Sequence, residues 1–142
     1  MKHKRWTFAQ NVGEMMATNG ALVAVAMVHF QGSMITRTVT EPVFVLGAGL
    51  AAFVSGFLSA PLFGQKGVIG LFLAAFGGIL ATLIGAGLAG MLILPDQNLE
   101  LAITGLLLSF AFPPIFGLWL LATGLIHWQA GVMRNGSGQR TR

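Results

Sequence analysis

The sequence contains no cysteine. This absence excludes disulfide bonds, thiolate catalysis, iron–sulfur ligation and cysteine-based zinc sites. Acidic residues are also few, with four Asp and Glu in 142 residues. The sequence has no HExxH motif, no Ser/His/Asp constellation and no paired carboxylates within an apolar segment. We therefore predict no catalytic residue and no metal site, and we expect that the protein is not an enzyme.

Charged residues of both signs make up only 8% of the chain, whereas hydrophobic residues make up 55%. A soluble domain carries roughly a quarter charged residues, and the mean hydropathy of this chain is +0.79. Four apolar spans with short links use nearly all of the length. We therefore predict a single polytopic membrane domain, residues 1–142, without a separate soluble module.

Long runs without charge dominate the sequence. One of them, Gly67–Leu94, exceeds the about 20 residues that a helix needs to cross a bilayer. Pro113 and Pro114 fall inside the last apolar run. Because proline removes backbone donors and clashes with the preceding turn, a kink is predicted there. The predicted transmembrane spans are 12–35, 43–60, 67–94 and 101–128, followed by a polar tail at 129–142.

Basic residues are distributed unevenly around these spans. Seven of the eight fall on one side of the membrane, and Arg37 falls on the other. Since cytoplasmic segments are rich in Lys and Arg, both termini are predicted to be cytoplasmic. The expected fold is an all-α integral membrane protein with four transmembrane helices in an antiparallel up-down bundle, in a bacterial-type inner membrane. We interpret the net charge of +4 as a topology signal and a contact for anionic lipids, not as a nucleic-acid site.

Small residues share one face of the second and third spans. Small side chains let helix backbones approach closely, so these faces are predicted to be packing surfaces. The short link between the two spans makes them neighbours, and their small faces are expected to meet. Bulky residues occupy the opposite faces, Leu46, Leu50, Phe53 and Phe57 on one span and Phe72, Phe76, Ile79 and Leu83 on the other. The predicted helix-packing residues are Ala48, Ala52, Ser55, Gly56, Ser59, Gly70, Ala74, Gly77, Gly78, Ala81 and Gly85.

His29 and His127 are weak candidates for binding a haem or a pigment, since neutral imidazole is a common axial ligand. The topology places them near opposite ends of the bilayer, so they cannot ligate one haem together. Our favoured interpretation of each is an interfacial or subunit-contact histidine. We predict no cofactor, while a bound lipid, quinone or pigment stays open.

Polar residues interrupt the first span, and aromatic residues accompany the proline pair in the fourth. Glu14, Thr18 and His29 follow one stripe. It is either the start of a proton path, or Glu14 lies at the inner interface, where it is solvated or paired with the basic N-terminus. Phe112, Phe116 and Trp119 form an aromatic stripe beside the proline pair, which is interpreted as packing or as a lipid, quinone or carotenoid contact. The candidates for contact with a partner are Glu14, Thr18, Asn19, His29, Phe112, Phe116 and Trp119.

Together these features favour a non-enzymatic accessory, scaffold or assembly subunit of a larger inner-membrane complex. Its expected partners are membrane lipids and other integral membrane subunits, and an energy-transducing complex, respiratory or photosynthetic, is the expected host. The alternative is a small homo-oligomeric channel or transporter that uses the glycine-rich hairpin as its interface. That alternative needs a polar lumen, which the apolar spans barely supply.

Overall fold

The computed structural model describes residues 2–35, 40–93, 104, 107 and 111–136. Within this part of the chain the structure is helical and contains no strand. Each of the four long helices contains a stretch long and apolar enough to cross a membrane. The prediction of an all-helical chain with four candidate spans is therefore confirmed. The helices are α1 (Lys2–Ile35), α2 (Glu41–Ser59), α3 (Gly67–Ile93) and α4 (Pro113–Gly136), and a 3-10 turn at Ala60–Leu62 follows α2.

The first helix is longer than the span predicted from hydropathy. It begins at Lys2, although the stretch that can cross a membrane is Arg5–His29. Hydropathy marks where a helix can enter the bilayer and does not mark where its hydrogen bonding begins. For α2 and α3 the helix ends lie within two residues of the predicted spans 43–60 and 67–94.

The last long helix runs from Pro113 to Gly136, and the described residues Thr104, Leu107 and Ala111 before it are helical as well. Proline is well tolerated in the first turn of a helix, where its missing N–H has no partner to lose. Phe112 lies in a bend just before this turn, and its carbonyl accepts a hydrogen bond of 2.9 Å from the Phe116 N–H. Residues 101–103 and 108–110 lie outside the described residues. The predicted kink at Pro113 and Pro114 closely follows residues 108–110 in the sequence, and it stays a prediction.

Helix α1 lies against α2 because both helices offer small residues to each other. A Cβ placed at Gly20 would collide with the Ala52 Cβ, and one placed at Gly56 would lie 2.5 Å from the Met16 side chain. The absence of side chains at these two positions therefore allows the close approach of the helices.

The loop after α2 is packed into one end of the molecule, between α1 and α4. Phe63 in this loop is fully buried. Phe63 belongs to a buried cluster with residues of α1, α3 and α4. The N-terminal half of α1 and the C-terminal half of α4 therefore meet at this loop. The buried cluster consists of Val12, Ala60, Phe63, Ala74, Ile126 and Ala130.

Candidate functional site

Arg134 of α4 contacts both α1 and the 3-10 turn, at the end of the molecule that contains the loop after α2. Its Nη2 donates a hydrogen bond of 2.9 Å to the Pro61 carbonyl, and its guanidinium carbon lies 4.8 Å from the centroid of the Phe8 ring. A cation over an aromatic face is attracted by the charge distribution of the ring. One side chain therefore connects α1, the 3-10 turn and α4.

His127 is engaged in a hydrogen bond that holds the same loop. The Gly64 N–H donates to His127 Nδ1 over 3.2 Å. Since Nδ1 accepts, the ring proton of the neutral imidazole is on Nε2. Gly64 has φ = +73°, a left-handed conformation that suits glycine, and it lies directly against the Ala130 backbone. These contacts favour a structural role for His127 over pigment ligation.

His29 is exposed on α1, near the opposite end of that helix from the loop. Asn19, between the two ends, is partly buried. No group of three or more His, Asp or Glu residues in the described chain is arranged to hold a metal ion. Nothing among the described residues tests His29 as a candidate ligand of a pigment.

The predicted small face of α2 is divided between two neighbouring helices. Ala48, Ala52 and Gly56 lie against α1. Ser55, by contrast, faces α3, and its Oγ lies 3.2 Å from where a Cβ at Gly85 would be. The small faces of α2 and α3 thus meet along one edge of α2, because α1 covers the remainder.

The small face of α3 likewise meets more than one partner. Gly77 lies against the Phe63 ring in the loop, and Gly78 lies against the Trp119 ring of α4. In helix packing, glycine at such positions allows a ring of the neighbouring element to come close to the backbone. Of the predicted packing residues, Ala48, Ala52 and Gly85 are partly buried, and Ser55, Gly56, Ser59, Gly70, Ala74, Gly77, Gly78 and Ala81 are buried.

Two aromatic residues predicted on the bulky outer face of α2 instead turn towards α1. A Phe53 ring carbon lies 3.1 Å from where a Cβ at Gly13 would be, and the Phe57 ring centroid lies 5.4 Å from that of Trp6. Gly13 provides the room that the Phe53 ring fills. Among the other bulky positions, Ile79 and Leu83 are partly buried, and the rest are exposed on the apolar surface, namely Leu46, Leu50, Phe72 and Phe76.

Trp119, predicted as a partner contact, makes its polar contact inside the protein. Its Nε1 donates a hydrogen bond of 2.9 Å to Thr82 Oγ1, and that hydroxyl donates one of 2.8 Å to the Gly78 carbonyl. The ring also stacks on Phe116 with a centroid distance of 6.1 Å. Trp119 therefore joins α4 to α3, while Phe112 and Phe116 are partly buried beside it.

A groove of about 520 Å³ lies between α1 and α4. Glu14 and Thr18, predicted from the stripe on the first span, lie in it together and are exposed. The contribution of α4 was not predicted, because it depends on how α4 packs and not on a pattern within either helix. The α1–α4 groove is lined by Asn11, Glu14, Met15, Thr18, Trp128, Gln129, Val132 and Met133.

The polar groups of the α1–α4 groove make mostly local hydrogen bonds. Glu14 Oε1 accepts from Gln10 Nε2 at 3.2 Å, and the Glu14 carbonyl accepts from Thr18 Oγ1 at 3.1 Å. Asn11 Nδ2 donates to Met133 Sδ at 3.4 Å, which joins the two helices at one end of the groove. A thioether sulfur is a weak acceptor, so the Asn11 amide can still donate a hydrogen bond to a stronger acceptor.

Comparison with known proteins identifies no relative, since no protein-family model, characterised protein or solved structure matches the chain. Its function therefore has to be argued from its own residues and their contacts.

Proposed function

We propose that the protein is a non-enzymatic accessory, scaffold or assembly subunit of a larger complex in a bacterial-type inner membrane. An energy-transducing complex, respiratory or photosynthetic, is the proposed host. Its helices form an antiparallel up-down bundle with both termini in the cytoplasm. The protein contributes helix surfaces to its neighbours and performs no reaction.

The contacts between elements support this topology. Met16 lies against Gly56, and Gly20, further along α1, lies near the Ala48 carbonyl, so contacts move backwards along α2 as they move forwards along α1. At the loop end, Arg134 is bonded to the loop that also carries Lys66. An end that collects basic residues is expected to face the cytoplasm.

An outward glycine face on α4 is the observation that carries the proposal of a partner. A Cβ at Gly117 or Gly124 would meet no described residue within 4 Å. Seven residues make almost two helical turns, so the two positions share one face with the exposed Leu120 and Leu121. Small residues in membrane helices permit close helix contacts. Other glycines, such as Gly78, already meet a neighbouring helix, whereas this face is open to a helix from another chain.

The low burial of every span agrees with a subunit that is surrounded by others. Between 17% and 28% of the most apolar stretch of each span is buried inside the chain. The remaining helix surface is available to lipid and to other membrane subunits. Packing against neighbouring helices is the main source of association in bilayers, where lipid is as apolar as the side chains.

The test is affinity purification of the tagged protein in mild detergent, comparing the wild type with Gly117→Leu/Gly124→Leu. We expect the wild type to retain foreign membrane subunits in fixed ratio. The amount of foreign subunits retained by the double variant should be about tenfold lower, which corresponds to about 1.4 kcal/mol of binding free energy. Its own fold should persist, because a Cβ at either position has no neighbour within 4 Å among the described residues.

Gly87→Leu provides the matched control. Gly87 is a glycine of α3 whose Cβ position is also open, but it lies on a different helix. The control should retain the partners. Equal loss from both variants would show that enlarging any open glycine is harmful and would remove the support for an α4 interface.

A homo-oligomeric channel or transporter is the second candidate, and the same open face of α4 favours it, because a second copy could dock there. Purification separates the two candidates. A symmetric oligomer without foreign subunits, dispersed by Gly117→Leu/Gly124→Leu, would support the channel or transporter and contradict the accessory subunit.

A further inference from the structure

We propose that the α1–α4 groove binds the headgroup of a phospholipid that carries a primary ammonium, with the Glu14 carboxylate as the partner of that cation. The remaining polar groups of the groove receive the adjoining phosphate. This site is separate from the glycine face of α4 that we assign to a protein partner.

The helix itself keeps Glu14 away from the basic residues at the N-terminus. Since α1 is helical from Lys2 onwards, Arg5 lies about 13 Å and Lys4 about 15 Å from Glu14 along the axis, at 1.5 Å per residue. Side chains on one helix pair when they are three or four residues apart. The sequence-based pairing of Glu14 with the basic N-terminus is therefore disfavoured by the continuous helix.

A carboxylate at the boundary between headgroups and lipid chains loses part of its water, which is costly unless a charge or several hydrogen bonds compensate. Glu14 is exposed on a candidate span and receives one hydrogen bond from the neutral amide of Gln10. An ammonium group would supply both the opposite charge and additional N–H donors. Charge-assisted hydrogen bonds of this kind are stronger than those between neutral groups.

The groove also offers donors for a phosphate beside the ammonium. The Asn11 amide donates to the weak acceptor Met133 Sδ, and the Gln129 amide lines the same groove. A phosphate oxygen is a better acceptor than a thioether sulfur. One groove thus combines an acidic acceptor with amide donors, which is the complement of a zwitterionic headgroup.

Aromatic and apolar walls complete a site for a lipid. Trp128 lies at the groove with 65% of its surface exposed, and indole rings favour the headgroup level of a membrane. Met15 and Val132 supply apolar contacts for the first acyl carbons. Because Glu14, Trp128 and Val132 are exposed on two neighbouring spans, the groove opens sideways to the bilayer. Its volume of about 520 Å³ is within the range of about 300–1,000 Å³ that is usual for ligand sites.

Quenching of tryptophan fluorescence by brominated lipid tests this site. The full-length Trp6→Phe protein keeps Trp119, which is engaged inside the protein, and Trp128 at the groove. It is reconstituted with phosphatidylcholine containing a fixed fraction of brominated phosphatidylethanolamine or brominated phosphatidylcholine. The ethanolamine lipid donates hydrogen bonds from its ammonium to Glu14, whereas choline has no N–H. We expect a two- to fivefold enrichment of the ethanolamine lipid at Trp128, as for one ion pair near a surface.

Two variants assign the effect to the groove. Glu14→Gln should abolish the preference, and Trp128→Phe should remove the lipid-dependent quenching. Glu41→Gln is the matched control, because Glu41 begins α2, whereas Gly13, the neighbour of Glu14, lies against Phe53 further along α2. It should leave the preference unchanged. Equal quenching by both lipids in the starting protein, or a preference that survives Glu14→Gln, would overturn the site.

A single-chain amine tests whether the groove binds the whole phospholipid headgroup or the ammonium group alone. Dodecylammonium carries the same group without a phosphate. It should displace the ethanolamine lipid poorly at equal mole fraction, since the Asn11 and Gln129 amides then lack their acceptor. Efficient displacement would contradict the phospholipid assignment.

Discussion

At the residue scale, two glycines of the loop after α2 share a backbone conformation but not an environment. Gly64 and Gly67 have φ values of +73° and +77°. A Cβ at Gly64 would lie 2.6 Å from the Ala130 carbonyl carbon, whereas one at Gly67 would have no neighbour within 4 Å in the part of the chain that the structure describes. Comparing them separates backbone strain from packing.

We predict that Gly64→Ala lowers the free energy of unfolding by roughly 2–5 kcal/mol, the sum of left-handed strain and overpacking. Gly67→Ala should cost only the strain, about 1–2 kcal/mol. Thermal unfolding of both variants in the same detergent measures the difference. Equal destabilisation would mean that the contact between Gly64 and Ala130 contributes nothing.

A second prediction at this scale concerns buried and exposed positions of α2 and α3. Ser55 is 1% exposed, and a Cβ at Gly78 would lie 2.9 Å from Thr123 Cγ2. Ser55→Leu or Gly78→Leu should therefore lower the free energy of unfolding by roughly 1–3 kcal/mol, as in overpacked cores. Phe76→Leu, at a position that is 58% exposed, should be milder when the fraction of folded protein is measured. A larger loss for Phe76→Leu would place the buried interface on the bulky face.

At the element scale, the loop 60–66 is held by α1 and α4 through Arg134 and His127. Arg134→Gln removes the contact with the Phe8 ring and weakens the hydrogen bond to the Pro61 carbonyl. We expect a loss of about 1–2 kcal/mol for these contacts. Hydrogen exchange of the loop amides should accelerate, including that of Gly64, whose N–H is bonded to His127.

Lys66→Gln is the control for Arg134→Gln, because it removes the same charge from an exposed position in this loop. Its hydrogen exchange should remain that of the wild type. If both variants accelerated exchange equally, the basic charge and not the contacts of Arg134 would hold the loop.

The helices also show how far the sequence could predict this fold. For α2 and α3, charge-free runs between polar links predicted the bounds to within two residues, because burial of an entire span in lipid depends on composition alone. For α4 the same reasoning placed Pro113 inside a span; α4 starts at Pro113, and Ala111, before the bend at Phe112, is helical as well. Proline is compatible with both a kink and a first turn, and hydropathy does not distinguish them.

The candidate site was predictable only in part, for a related reason. Glu14 and Thr18 are four residues apart, so their shared face follows from helical periodicity. Trp128 and Gln129 join them through the packing of α4 against α1, which no local pattern encodes. Likewise, periodicity found the small face of α2 but could not show that α1 occupies most of it.

At the scale of the whole molecule, the topology follows from the side on which the connecting segments lie. Single cysteines at Thr38 and Asn98, in links outside the described residues, should react with an impermeant thiol reagent added from the periplasmic side. A cysteine at the exposed Gln65 should not react. The native chain has no cysteine, so the wild-type protein gives no background labelling by the thiol reagent. Labelling at Gln65 alone would reverse the assignment of both termini to the cytoplasm.

The most direct test of the accessory-subunit function is the composition of the particle that contains this chain in its native membrane. The protein, tagged at its C-terminus and expressed at its natural level, is extracted in mild detergent and its intact mass and subunit ratio are measured. We predict one discrete assembly in which the chain stands in fixed ratio to foreign integral membrane subunits. A monomer, or an oligomer of this chain alone, would contradict that function.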